Sequence, residues 1–288
     1  MPSSSACANS RSSASAAALR SCFSGLSPSN ENGTSGTTGV DRLVFGLSKH
    51  LEIVENHIER LRVVIEPDGA NRTEAVKSNR VADNRLFSDY ANDGPHLGLP
   101  LVKINGNASM PVERIAIRGN TTNRSRLLGL ETCKFSRIDV IGNVMGEDEG
   151  NTSDQFGFQP IWINAPVDEL RVDGNIVWFP NQTTYSSVIA FGGSPTRTVK
   201  RLTMENNTMT LSGQLASGAP SPMPDVFLFG GNKVFKVQTA DPAIVFAATK
   251  GAVLNDVFDS PNVQIDDSNV FTVSSNVNIA SGGTIAVI

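Results

Sequence analysis

The sequence predicts an all-β solenoid behind a disordered N-terminal tail. Three observations carry that expectation. A short motif recurs along the chain: aliphatic, any residue, aliphatic, two polar or small residues, asparagine. Leu170, Val172 and Asn175 fill it in VDELRVDGNIVW, as do Ile115, Ile117 and Asn120 in RIAIRGN, Ile138, Val140 and Asn143 in RIDVIGN, Leu202, Met204 and Asn207 in RLTMENN, and Leu51, Ile53 and Asn56 in HLEIVEN. The asparagines of four successive copies (120, 143, 175, 207) step by 23, 32 and 32 residues, a period typical of stacked repeats. Hydrophobic residues make up 39% of the chain, which suits a thin solenoid core.

A strand with two inward aliphatics cannot bury its own face. It becomes stable when the next copy stacks about 4.8 Å away and hides the same columns. The asparagine is expected to end each strand at a tight bend, its side chain tolerating left-handed backbone and bonding nearby peptide groups. Stacked copies would form an amide ladder, each donating to the next. These segments resemble the rungs of right-handed parallel β-helix proteins, the group that includes pectate-lyase-like enzymes and phage tailspikes. The resemblance covers residues 101–288 and extends to 41–65. It implies a fold and leaves activity open, because many unrelated activities share this solenoid.

Taken in order, residues 1–40 are rich in Ser, Ala, Gly, Asn and Thr and poor in branched aliphatics, so they are expected to be disordered. The apolar stretch ASAAALRSCF is short and broken by Arg20, which argues against a cleavable signal peptide. Residues 41–66 read either as a first rung or as an amphipathic capping helix, since Leu51, Val54, Ile58, Leu61 and Ile65 also fall at helical spacing. Residues 67–100 are polar and irregular and read as a long loop insertion. The β-helix occupies 41–288. First strands of the rungs are expected at LVKINGN, LLGLETC, PIWINAP, SVIAFGG and VFLFGGN, each followed by a middle strand ending at asparagine. The later rungs are expected to lose the asparagine, with Phe235 and Val237, then Val263 and Ile265, keeping only the aliphatic pair. Because the sequence stops inside a strand, the C-terminal edge is expected to pair with another copy in a homo-oligomer, unless the sequence is a fragment.

Long connections at 67–100, 146–159, 179–186 and 212–225 would line one edge of the coil, where they could wall a groove. In the β-helix enzymes this chain resembles, the substrate groove lies beside such loops, over the outer face of the first sheet. Alternation predicts what that face displays. One outward column reads Lys103, Gly129, Trp162, Ala190, and the next reads Asn105, Glu131, Asn164, Gly192. A tryptophan flanked by glycine and alanine offers a flat face for the apolar side of a sugar ring. Trp162, Asn105, Asn164 and Tyr185 are therefore the substrate-binding candidates. Lys103, Glu131, Asp148 and Asp154 are the catalytic candidates: paired carboxylates suit glycosidic acid–base work, and a lysine suits proton abstraction or the holding of a uronic carboxylate. The acidic loop Glu147, Asp148, Glu149, Asp154 would alternatively bind Ca²⁺ through oxygen ligands.

A net charge of −4 argues against a nucleic-acid partner. No apolar run approaches a membrane span. Cys7, Cys22 and Cys133 make no disulfide framework, and Cys133 reads as a small buried filler. The outer face of the middle sheet, with Asp139 beside Arg171, reads as a solvated face of weak ion pairs. The eight Asn-x-Ser/Thr matches, Asn120 among them, read as chance in an asparagine-rich chain. The expected function is polysaccharide binding or processing outside the cell or at its surface, with lyase, epimerase and hydrolase chemistry all open. The alternative is a non-catalytic adhesion or spike-type β-helix.

Overall fold

Alternation of apolar and polar residues makes these segments strands, and their shortness makes them rungs. The computed structural model describes residues 18–19, 42–46, 50–59, 62–66, 76–87, 101–105, 111–122, 127–131, 133–146, 160–178, 187–191, 199–211, 214–217, 224–236, 245–246, 250–265 and 270–287. The chain is a parallel β-helix. Successive turns contribute strands to three faces, and each strand inside a sheet pairs in parallel with its equivalents one turn before and after. The right-handed coil expected from the sequence is the hand that parallel crossovers take in nearly all proteins.

The first sheet runs through Arg42–Gly46, Arg62–Glu66, Val102–Asn105, Leu128–Glu131, Ile161–Asn164, Ser187–Phe191 and Gln214–Ser217. Val245–Phe246, Asn262–Ile265 and Thr284–Val287 form a separate three-stranded sheet, occupying the same place in the later turns. The middle sheet is built from strands such as His50–Val54, Val76–Ala82, Val112–Arg118, Phe135–Ile141, Val167–Asp173, Val199–Glu205, Val226–Gly230, Lys250–Leu254 and Val270–Ser274. The third sheet consists of short strands, His57–Glu59 to Val277–Asn278.

The core is a set of inward columns. Leu170 lies opposite Leu202 and Ile138, and Val172 opposite Met204 and Val140, all buried. Ile161, Leu128, Val102 and Ile189 stack in the first sheet. Phe229 and Phe258 stack across sheets, with ring centroids 6.4 Å apart and planes within 9°. Cys133 is buried among these side chains, and burial pushes its thiol up to about 12, so it remains an uncharged filler.

The turn from middle to third sheet divides two tasks that the sequence reading had assigned to asparagine alone. The residue before the ladder asparagine takes the left-handed conformation: Glu55, Asp83, Gly119, Gly142, Gly174, Asn206, Gly231, Asn255 and Ser275 all have φ between 55° and 67°. At Gly119 a Cβ would also lie 2.3 Å from Asp83 Oδ1, so a larger residue there would have to turn the exposed Asp83 side chain aside. The asparagine itself supplies the ladder. Asn143 Oδ1 accepts from the Asn120 backbone N–H and from its Nδ2, both at 3.0 Å. Asn143 Nδ2 donates to Ile117 O and to Asn175 Oδ1. The pattern repeats from Asn56 through Asn84, Asn120, Asn143, Asn175 and Asn207 to Asn232. Each ladder amide from Asn84 to Asn232 thus donates twice and accepts twice.

Several expectations need correction. Residues 67–100 are not one loop insertion: Val76–Ala82 and Arg85–Phe87 are strands, and Asn84 is a ladder member. Lys77, Ser78, Asn79 and Arg80 hid the apolar pattern. Asn79 even stands in the inward column opposite Leu51 and Ile115, fully buried, with neither amide atom hydrogen-bonded. In the stretch 41–66 the first-rung reading holds and the capping helix does not: Arg42–Gly46, His50–Val54, His57–Glu59 and Arg62–Glu66 are strands. Val226–Gly230 belongs to the middle sheet, not the first, so Asn232 continues the ladder that the sequence reading had ended. Phe235 lies in the third sheet and Val263 in the small sheet with Thr284–Val287. Residues 212–225 contain the first-sheet strand Gln214–Ser217. The shared cause is that two aliphatics and an asparagine do not say which sheet they serve when a whole connection is short.

The tail, including Cys7 and Cys22, lies almost wholly outside the described residues. No helix long and apolar enough to cross a membrane occurs among the described residues.

Candidate functional site

On the first sheet, alternation sends every second side chain outward. Register aligns Lys103, Gly129, Trp162 and Ala190 on consecutive turns, and extends the column to Val64 before and Ser217 after. Asn105, Glu131 and Asn164 align in the next column. Successive residues in a column are about 4.8 Å apart, and the two columns are about 6.7 Å apart along the strand.

Trp162 and Lys103 are half-buried, and Gly129, between them, is buried. Gly129 and Ala190 flank Trp162 on the turns before and after it. Asn164 is half-buried, and its Oδ1 is shielded from solvent with no hydrogen-bond donor. A shielded acceptor without a donor is an unfavourable arrangement, and a ligand hydroxyl would relieve it once the amide turned outward. Val64, outward in the same column as Lys103, is buried, so the N-terminal part of this face is covered.

Of the remaining candidates, Asn105 and Glu131 are placed by strand register only, and their side chains lie outside the described residues. Asp148, Asp154 and Tyr185 also lie outside them. The structure therefore brings Lys103, Trp162 and Asn164 to one face and leaves the acidic loop undescribed. Among the described residues no group of three His, Cys, Asp or Glu is placed to hold a metal ion, and the expected Ca²⁺ ligands Glu147, Asp148, Glu149 and Asp154 are not among those residues.

The middle sheet's outer face is organised differently from the weak, solvated pairs expected. Asp139 is fully buried and is held by three arginines rather than by Arg171. Its Oδ2 accepts from Arg114 Nε at 3.0 Å, Arg114 Nη2 at 2.5 Å and Arg118 Nη2 at 3.1 Å. Its Oδ1 accepts from Arg137 Nε at 2.9 Å. Burial would raise this carboxyl, but hydrogen bonds from Arg114 and Arg137 reverse that and hold it below the ordinary range. Arg171 bonds Asp173 at 2.7 Å and approaches Glu205. Lys134 and Lys200 both reach Asp168, Arg137 also reaches Glu169, and Lys77 pairs with Glu113. The signal was present in the sequence: Arg114, Arg118, Arg137 and Asp139 all sit at outward positions of adjacent turns.

No protein-family model, no curated protein and no solved structure matches this chain.

Proposed function

We propose that the protein binds a polysaccharide along the outer face of its first sheet, with Trp162 as the stacking platform. The observation that carries this reading is the pairing of Trp162, flanked by Gly129 and Ala190, with the donor-less Oδ1 of Asn164 two residues along the same strand. A pyranose ring on the indole would lay its C–H face on the aromatic surface and turn a hydroxyl toward Asn164. Lys103, two turns away in the same column, suits the carboxylate of an acidic sugar unit. Such a ligand runs along the coil, because the columns repeat about every 4.8 Å. An extracellular or cell-surface setting accords with it. Chemistry on the bound chain, by Lys103 and Glu131 or by the carboxylates of the 146–159 connection, is a further step that the binding reading does not require.

The test is affinity electrophoresis through gels containing uronic-acid polymers or neutral glucans, with the natural chain and Trp162→Ala compared. Retardation by one polymer class, lost in a variant with an unchanged circular dichroism spectrum, supports the reading. Equal mobility in every gel, or retardation that survives the substitution, overturns it.

A further inference from the structure

The amide ladder changes chemistry at one turn. Asp256 occupies the position that asparagine fills in the turns before and after it. Its Oδ1 behaves as an asparagine oxygen should, accepting from the Asn232 backbone N–H at 2.7 Å and from Asn232 Nδ2 at 3.0 Å. Its backbone N–H donates to Asn276 Oδ1 at 2.9 Å. The second oxygen is the anomaly. Where the asparagines from Asn56 to Asn232 put an Nδ2 that donates twice, Asp256 puts Oδ2, fully buried and without a hydrogen-bond partner.

The repeat identifies what that atom faces. Asn232 Nδ2 donates to Met204 O, and Asn276 Nδ2 to Val253 O, in each case the residue three before the preceding ladder member. The same rule assigns Phe229 O to Asp256, and the next ladder oxygen is Asn276 Oδ1. Both are acceptors. An ionised Oδ2 sets a third set of lone pairs against them in a water-free turn. A protonated Oδ2 donates to one of them.

We infer that Asp256 is a proton-operated latch: protonated, it completes the amide ladder and clamps the turns on either side, and ionised, it loosens the junction between Asn232 and Asn276. The charged groups on the adjoining strands do not counter this. Lys233 and Lys250 are exposed, Asp225 is exposed, and Asp259 is half-buried; none forms an ion pair with Asp256. Val270–Ser274 and Val277–Asn278 contribute no charged residue. Burial pushes the carboxyl up to about 6, with the Asn232 hydrogen bonds and the Leu254 peptide offsetting only part of the effect. The latch therefore closes in mildly acid surroundings and relaxes near neutrality.

The sign is that of a raised carboxyl. The stabilisation is complete below the ordinary value of 3.8 and is lost as pH rises through about 6. Hydrogen exchange, corrected for the intrinsic pH dependence of the chemistry, reads it turn by turn on the full chain. From pH 4.5 to pH 8, amides of 250–258 and 270–278 are expected to open roughly thirtyfold more often, whereas those of 135–146 hold their protection. Asp256→Asn, which restores the amide found at the other turns, should abolish that difference. A ¹³C titration of the Asp256 carboxyl in the natural chain should give a midpoint near 6. A midpoint below 5, an unchanged pH dependence in Asp256→Asn, or failure of that variant to fold overturns the inference.

Discussion

The outer faces of the first and middle sheets share one scaffold and one spacing, yet they use their side chains in opposite ways. On the middle sheet the charges are spent on each other: three guanidiniums on Asp139, two lysines on Asp168, Arg171 on Asp173 and Glu205. On the first sheet a tryptophan stands between small residues, and an asparagine oxygen has no donor. The middle face neutralises its charge internally, although Arg118 Nε and Arg171 Nε lack partners, whereas the first face sets a flat ring beside small residues and an acceptor without a donor, a combination that suits a ligand. Substitutions on the middle face should move stability and leave binding alone, and substitutions on the first face should do the reverse.

The largest effect belongs to Asp139→Ala. It leaves Arg114, Arg118 and Arg137 facing one another without the carboxylate that drew them together. Because the three arginines are more than a third exposed and stay hydrated, a loss of about 2 kcal/mol in urea unfolding is expected, with polysaccharide affinity unchanged in the fraction that stays folded. Because its carboxyl is held low, Asp139 contributes stability above the ordinary carboxylate range that is lost as the solution is acidified through and below it. Asp256 works in the other direction, so the natural chain should be most stable in mildly acid solution, between about pH 4 and 6.

Trp162→Ala comes next. It should weaken polysaccharide binding by about 1.5 kcal/mol, roughly tenfold, while the unfolding midpoint moves little. Asn79→Leu is aimed at the interior between the faces. It replaces a buried amide that bonds to nothing with a residue that suits its neighbours Leu51 and Ile115, and should raise stability by about 1 to 2 kcal/mol in the same urea experiment. The smallest effect is that of Lys200→Ala, an exposed partner of Asp168, which should leave the urea midpoint nearly unchanged at low salt and indistinguishable from the natural chain in high salt.

The coil itself was readable in the chain because its two determinants are periodic: an aliphatic pair to fill the columns and an asparagine to bond the turns. Leu170 against Leu202 and Asn143 against Asn175 follow from that period alone. Sheet identity was less readable. Val226–Gly230 looks like a first strand because VFLFG has no polar position to mark it, and only its pairing with Val199–Glu205 assigns it. The left-handed residue was also hidden, since Glu55, Asp83, Asn206, Asn255 and Ser275 fill it as well as glycine does. For the site, alternation was enough to align Lys103, Gly129, Trp162 and Ala190. It could not show that Asp139 sinks beneath three arginines, because burial of an outward residue depends on where long neighbouring side chains fold down.

The most direct test of ligand binding on the first sheet reads Trp162 itself. Trp178, exposed on the third sheet, is the other tryptophan in the chain, so Trp178→Phe leaves a single reporter. Titration of that variant with oligosaccharides of uronic acids and of neutral glucose units is expected to give a saturable change in Trp162 emission for one class. Emission that stays constant to millimolar concentrations of both classes would contradict it.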